Sequence, residues 1–198
     1  VGGDRPWSDQ RQAAFVARGI AFNDATINLA PFRPADIFTF LSLADIFIKG
    51  DLEVGGLRGI VDFHARNVIH FTAGSSIASL HPGISMVFAS GGPLLLDDVS
   101  FDLPLGSLAL ASGRDIDLVD VAADAGNSIR FNARNRLNLS NPDITSRGPL
   151  LLTAQGIMDI DNGSLRAGTP LSPNLLRLTA GSRLDISGTA LLAQNIRL

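Results

Sequence analysis

The eleven residues L-R-L-T-A-G-S-R-L-D-I at 176–186 constrain the fold more than any other feature of the chain. Apolar residues stand at Leu176, Leu178, Leu184 and Ile186, with small Ala180 between the two pairs. All five share one parity, and residues of one parity face one side of a strand. A helix would need apolar residues three and four apart. The segment reads as strand, bend, strand, with one buried face.

The same pattern recurs upstream. With Leu178 as anchor, equivalent anchors stand at Leu152, Phe131, Leu110, Phe88, Phe63 and Phe40, and less regularly at Phe15. From Phe15 onward the intervals are 25, 23, 25, 22, 21, 21 and 26 residues. Two positions after each anchor the residue is always Ala or Ser: Ala17, Ser42, Ala65, Ser90, Ser112, Ala133, Ala154 and Ala180. Six after each anchor from Phe40 on stand Ile46, Ile69, Leu94, Ile116, Leu137, Met158 and Leu184. Eight after stand Ile48, Phe71, Leu96, Leu118, Leu139, Ile160 and Ile186. In the Phe15 copy, Ile20 and Phe22 slip by about one residue from this scheme. A fixed period of this length marks a solenoid. The L-x-x-L-x-L-x-x-N spacing of leucine-rich repeats is absent.

Two short strands per copy without an intervening helix predict an all-β fold, a parallel β-helix of about eight coils with 21–26 residues each. Stacked at the strand spacing of about 4.8 Å, these coils make a rod on the order of 40 Å long. Small residues after each anchor suit a corner, where an inward side chain has little room. A weaker strand is expected later in each coil, at 77–80, 99–103, 119–122, 143–145 and 165–167. Links such as Pro82-Gly83, Gly91-Gly92-Pro93, Asn141-Pro142-Asp143 and Asn162-Gly163 carry turn chemistry. Residues 1–12 are polar and lie outside the repeat, so they read as an N-terminal cap in which Trp7 could cover the core. Residues 13–198 read as a single β-helix domain. The pattern is still running at Ile196 and Leu198, which points to a piece of a longer chain.

Composition agrees with a long interior. Apolar residues make up 45% of the 198, and mean hydropathy is +0.24. No apolar run reaches the roughly 18 residues needed to span a bilayer. The longest candidate, 37–48, is broken by Asp45 and fits the repeat. Net charge is −3 and no basic stripe is visible, which argues against nucleic acid as a partner. Without cysteine there is neither a disulfide framework nor a thiolate metal site.

Chemistry, if present, would sit on the outward position seven after each anchor. Successive coils place His70, Leu95, Asp117, Asn138, Asp159 and Asp185 there. The last four form a candidate polar ladder. Asp117 and Asp159 would lie two coils apart, about 10 Å, and Asp159 and Asp185 would be neighbours. A water-facing column is where Asp and Asn belong. Paired carboxylates on adjacent coils could also hold Ca²⁺, or act as acid and base on a glycan. Arg114, Arg136 and Arg183 stand close enough in the repeat to pair with these Asp residues. His64, His70 and His81 match no metal motif and read as surface or capping residues. Thr153 and Thr179 share a column with Asn132, Ala111, Ala89 and His64, which breaks the threonine array that ice binding needs. No G-x-S-x-G and no G-x-x-x-x-G-K is present. No catalytic, cofactor-binding or metal-ligating residue is assigned. Phe47 falls on an outward position, where it could meet a partner.

The segments L-L-L-T-A-Q-G-I-M-D-I-D-N-G-S-L-R-A-G at 150–168 and L-R-L-T-A-G-S-R-L-D-I-S-G-T-A-L-L-A-Q at 176–194 share an L-T-A-x-x-x-x-D-I pattern. From about Phe63 to the end the chain resembles the repeats of filamentous-haemagglutinin-like exoproteins of two-partner secretion. The resemblance implies a right-handed parallel β-helix, exported through an outer-membrane β-barrel transporter. It implies a secreted or bacterial surface location and a role in adhesion, as a stalk or in a biofilm. Where the family's secretion domain carries N-P-N-x, this chain has only Asn141-Pro142-Asp143-Ile144 and Ser172-Pro173-Asn174-Leu175. A divergent secretion domain and a piece of shaft both fit. The expectation is a non-enzymatic structural or adhesive scaffold that binds a host or neighbouring-cell receptor or glycan and stacks end to end through its terminal strands. The alternative is a polysaccharide hydrolase or lyase using the ladder carboxylates.

Overall fold

The computed structural model describes residues 12–29, 36–56, 59–79, 83–169 and 172–198. The expected cap at 1–12, with Trp7, lies almost wholly outside the described residues, as does His81; Gln12 opens the first strand. The described chain is all β, a parallel solenoid of about seven turns, close to the eight coils counted from the anchors. Each turn has three sides rather than two. The first side is a nine-stranded sheet of anchor strands, running from Gln12–Ala17 through Asp36–Ser42 and Leu108–Ser112 to Asn195–Arg197. The second side holds short strands such as Ile69–Phe71 and Ile116–Val119, and the third holds strands such as Ser75–Ser79 and Val99–Leu103. Four longer strands, Ile20–Leu29, Ile46–Gly56, Ile157–Thr169 and Arg183–Leu192, run through both later sides.

Parity explains the packing. Alternate residues point inward on every side, and the same inward position recurs in the next coil. Phe40, Phe63, Phe88, Leu110, Phe131, Leu152 and Leu178 are direct partners from coil to coil. All seven are buried. Each such side chain contributes about 1.5–3 kcal/mol by leaving water. The column two residues on is also inward, and Ser42, Ser90 and Ser112 are buried within it. Their hydroxyls are satisfied at the corner: Ser42 Oγ donates to the Asp45 carbonyl at 2.8 Å, and Ser90 and Ser112 both donate to the Gly92 carbonyl, at 2.8 and 2.7 Å.

The slip read in the first copy is real. Phe15 pairs with Phe40, while Ile20 pairs with Ile46, so the first corner is one residue shorter. The third-side strand expected at 119–122 is misplaced. Val119 ends the second-side strand, Asp120 turns the corner at φ 52°, and the third strand is Ala122–Ala125. The longest interval, between Leu152 and Leu178, is taken up by a small antiparallel pairing of Gly168 with Pro173 and Thr169 with Ser172. Because those extra residues leave the ladder, the register resumes unchanged in the last coil.

Candidate functional site

The second side carries the predicted ladder, residue for residue. Phe47, His70, Leu95, Asp117, Asn138, Asp159 and Asp185 are consecutive partners along it. Phe47 is 45% exposed, as its outward position implied. Its ring lies edge-on to His70, with centroids 6.0 Å apart. Lower in the column the polar residues meet guanidinium groups. Asp159 Oδ2 accepts from Arg136 at 2.8 Å, and Oδ1 from Arg183 at 3.2 Å. Arg183 also reaches Asp185 at 2.8 Å. Stacking at the strand spacing puts the two carboxylates side by side, and Arg183 bridges both. Arg114, expected to join this network, makes no ion pair among the described residues.

These pairs are local. Arg136 and Arg183 are half exposed, so the network is worth on the order of 1 kcal/mol or less. Asp117 and Asn138 continue the column without a charged partner among the described residues. There no three His, Asp or Glu side chains converge on a point that could hold a metal ion. His64 Nε2 lies 3.8 Å from Asp62 Oδ2 on the first side, away from the ladder.

A second column, which the sequence reading found only in part, stands where the second side turns into the third. Asp98, Asp120, Asn141 and Asn162 all have φ near 50°, and Gly188 follows at 55°. Left-handed backbone is costly for most side chains, and Asp and Asn tolerate it because their short polar groups bond locally. Asn141 Nδ2 donates to Asp120 Oδ1 at 2.7 Å across the stack.

A third grouping was legible in the sequence only in part, through Arg114, Arg136 and Arg183. The corner between the first and second sides, three to five residues after each anchor, gathers Arg18, Arg66, Arg114, Arg134, Arg136 and Arg183. That is six of the chain's sixteen cations, separated by 20 residues or more in most cases and aligned only by the coil. Between Arg66 and Arg114 lies a cleft of about 350 Å³, lined also by Asn67, Val68, Gly91, Gly92 and Pro93. The search for a basic stripe along the sequence missed it because the period of the coil spreads its members out.

No protein-family model, curated protein or solved structure matches this chain. What stands on the geometry is a β-solenoid with repeat columns, and among the described residues no helix is long and apolar enough to cross a membrane.

Proposed function

We propose that this protein is a non-enzymatic structural or adhesive β-solenoid of the filamentous-haemagglutinin-like kind, acting outside the cell or at a bacterial surface. On this reading it reaches that surface through an outer-membrane transporter, binds a receptor or glycan through its sides and corners, and joins other copies end to end. The supporting observation is the parallel coil-on-coil stacking on all three sides, in register apart from a shift between Asn23 and Ala25 in the first described coil. Such a rod holds outward groups at a fixed repeat of about 4.8 Å, which suits a spacer making many weak contacts. The carboxylates that could serve a glycan-cleaving enzyme, Asp159 and Asp185, share Arg183, and Asp159 is also held by Arg136. This favours a role in joining coils.

The test pairs two assays on the wild-type protein and on Asp159→Asn and Asp185→Asn. One measures attachment of the purified protein to cultured cells and to biofilm matrix. The other measures release of reducing or unsaturated ends from neutral and acidic glycans. Saturable attachment that both variants retain, with no glycan cleavage, is the expected result. Cleavage by the wild type that both variants lose would establish the polysaccharide-active alternative instead.

A further inference from the structure

The cleft on the basic corner carries charges that neither stacking nor the ladder requires. Ala65, Ser90 and Ser112 are direct partners in three successive coils, so Arg66, Gly91 and Gly113 follow one another just past them. Arg66 and Arg114 therefore flank the Gly91-Gly92 corner from the coils on either side, with backbones about 10 Å apart. The floor is bare for a structural reason. A Cβ on Gly91 would stand 2.3 Å from the Arg66 carbonyl oxygen, and one on Gly92 would stand 2.4 Å from that of Asn67. Close stacking thus demands glycine and leaves a notch one coil wide.

The charges at its rim are uncompensated. Arg66, Asn67 and Arg114 are exposed, and among the described residues neither arginine forms an ion pair. The carboxylates on the same corner, Asp45 and Asp115, stay close by and bond neutral amides rather than these arginines. Asp45 Oδ1 accepts from the Val68 amide at 3.2 Å. Asp115 Oδ1 accepts from Asn135 Nδ2 at 2.7 Å and the Arg136 amide at 3.0 Å. Two guanidinium forks facing one gap suit a planar carboxylate. Asn67 offers an amide that can both donate and accept, and Val68 and Pro93 add apolar wall.

We infer that this notch binds an acidic sugar residue of the uronate type, its carboxylate held between Arg66 and Arg114 and its ring against Asn67, Val68 and Pro93. The inference deepens the adhesive reading and rests on it for its biological sense, but the binding itself is testable apart from adhesion.

The experiment is calorimetric titration of the purified chain with galacturonate oligomers and with their methyl esters, which keep the rings and remove the charge. Wild type binds the acid form, and the ester binds at least tenfold more weakly. Arg66→Gln and Arg114→Gln each weaken acid binding about tenfold or more. Arg177→Gln, an exposed arginine on the first side, changes it less than twofold. Unchanged β-sheet circular dichroism shows that each variant is folded. Four results would overturn the inference: no wild-type binding, equal affinity for acid and ester, equal loss in Arg177→Gln, or tighter binding of a single-stranded oligonucleotide than of the oligogalacturonate. Cell attachment measured on the same variants separates the two readings. Attachment that survives the loss of uronate binding leaves the scaffold reading intact with contacts elsewhere. Uronate binding without any attachment removes the adhesive reading alone.

Discussion

The coils of residues 36–103 and those of 108–167 share one backbone register but fill it differently. The earlier part is aromatic. Phe40 stacks on Phe63 with centroids 5.2 Å apart, Phe63 stacks on Phe88 at 4.7 Å, and Phe71 meets Phe88 edge-on at 5.1 Å. The later part has one phenylalanine, Phe131, between Leu110 and Leu152. On the third side, Phe101 and Leu103 are stacked directly on Ala123 and Ala125. Backbone pairing and parity therefore fix which residues face inward, and the volume of the core is free to change along the axis. Corners differ too. Two of the earlier coils turn onto the third side with glycine at positive φ, Gly50 and Gly74, and the next uses Asp98; the later ones turn with Asp120, Asn141 and Asn162.

The largest effects should come from the two cores. Phe88→Ala removes a fully buried ring with three aromatic neighbours and should cost about 4 kcal/mol, against about 3 kcal/mol for Leu152→Ala. Urea unfolding followed by circular dichroism measures both. An equal loss in the two would mean that ring stacking adds nothing to burial. Next comes close coil contact. Gly113→Ala places a Cβ 2.4 Å from the Gly91 carbonyl oxygen and should cost about 2 kcal/mol. Gly74→Ala meets open space and carries only the strain of φ 78°, about 1 kcal/mol. If Gly74→Ala proved the worse of the pair in thermal melts, stacking distance would not be what selects glycine.

Smaller effects separate the corners and the charges. Asn141→Ala loses a left-handed residue and its bond to Asp120, and should lower stability by about 1–2 kcal/mol, while Asn141→Gly should lower it less. The comparison fails if Ala and Gly are equivalent there. Asp159→Asn should cost under about 1 kcal/mol, because its arginine partners are half exposed. The difference should shrink further in 1 M salt, where the Debye length is about 3 Å.

Much of this architecture could be read directly from the chain. Strict parity around Phe63, Phe88 and Leu110 and the small residues two places on fixed the first side, and the anchor count then placed Asp117, Asn138, Asp159 and Asp185 in one column. The third side was harder. Ala122–Ala125 contains no large apolar residue, so its strand left no hydrophobic signal, and the stronger Val119 drew the expected strand onto the corner. Asp98 and Asp120 gave no turn signal because neither has a glycine or proline beside it; valine follows each, at Val99 and Val121. The basic corner was legible only through Arg114, Arg136 and Arg183; Arg66 and Arg114, 48 residues apart in sequence, come near each other only through stacking.

Distances across the stack test the central claim most directly. The chain has no cysteine, so spin labels can be placed at will. Labelled cysteine pairs at Phe47 with Asn138, with Asp159 and with Asp185 span four, five and six coils. Pulsed electron paramagnetic resonance should give distances that lengthen by about 5 Å per coil, from roughly 19 to 29 Å before label offsets. Distances that fail to grow in that order would contradict the stacked solenoid and every site placed on it.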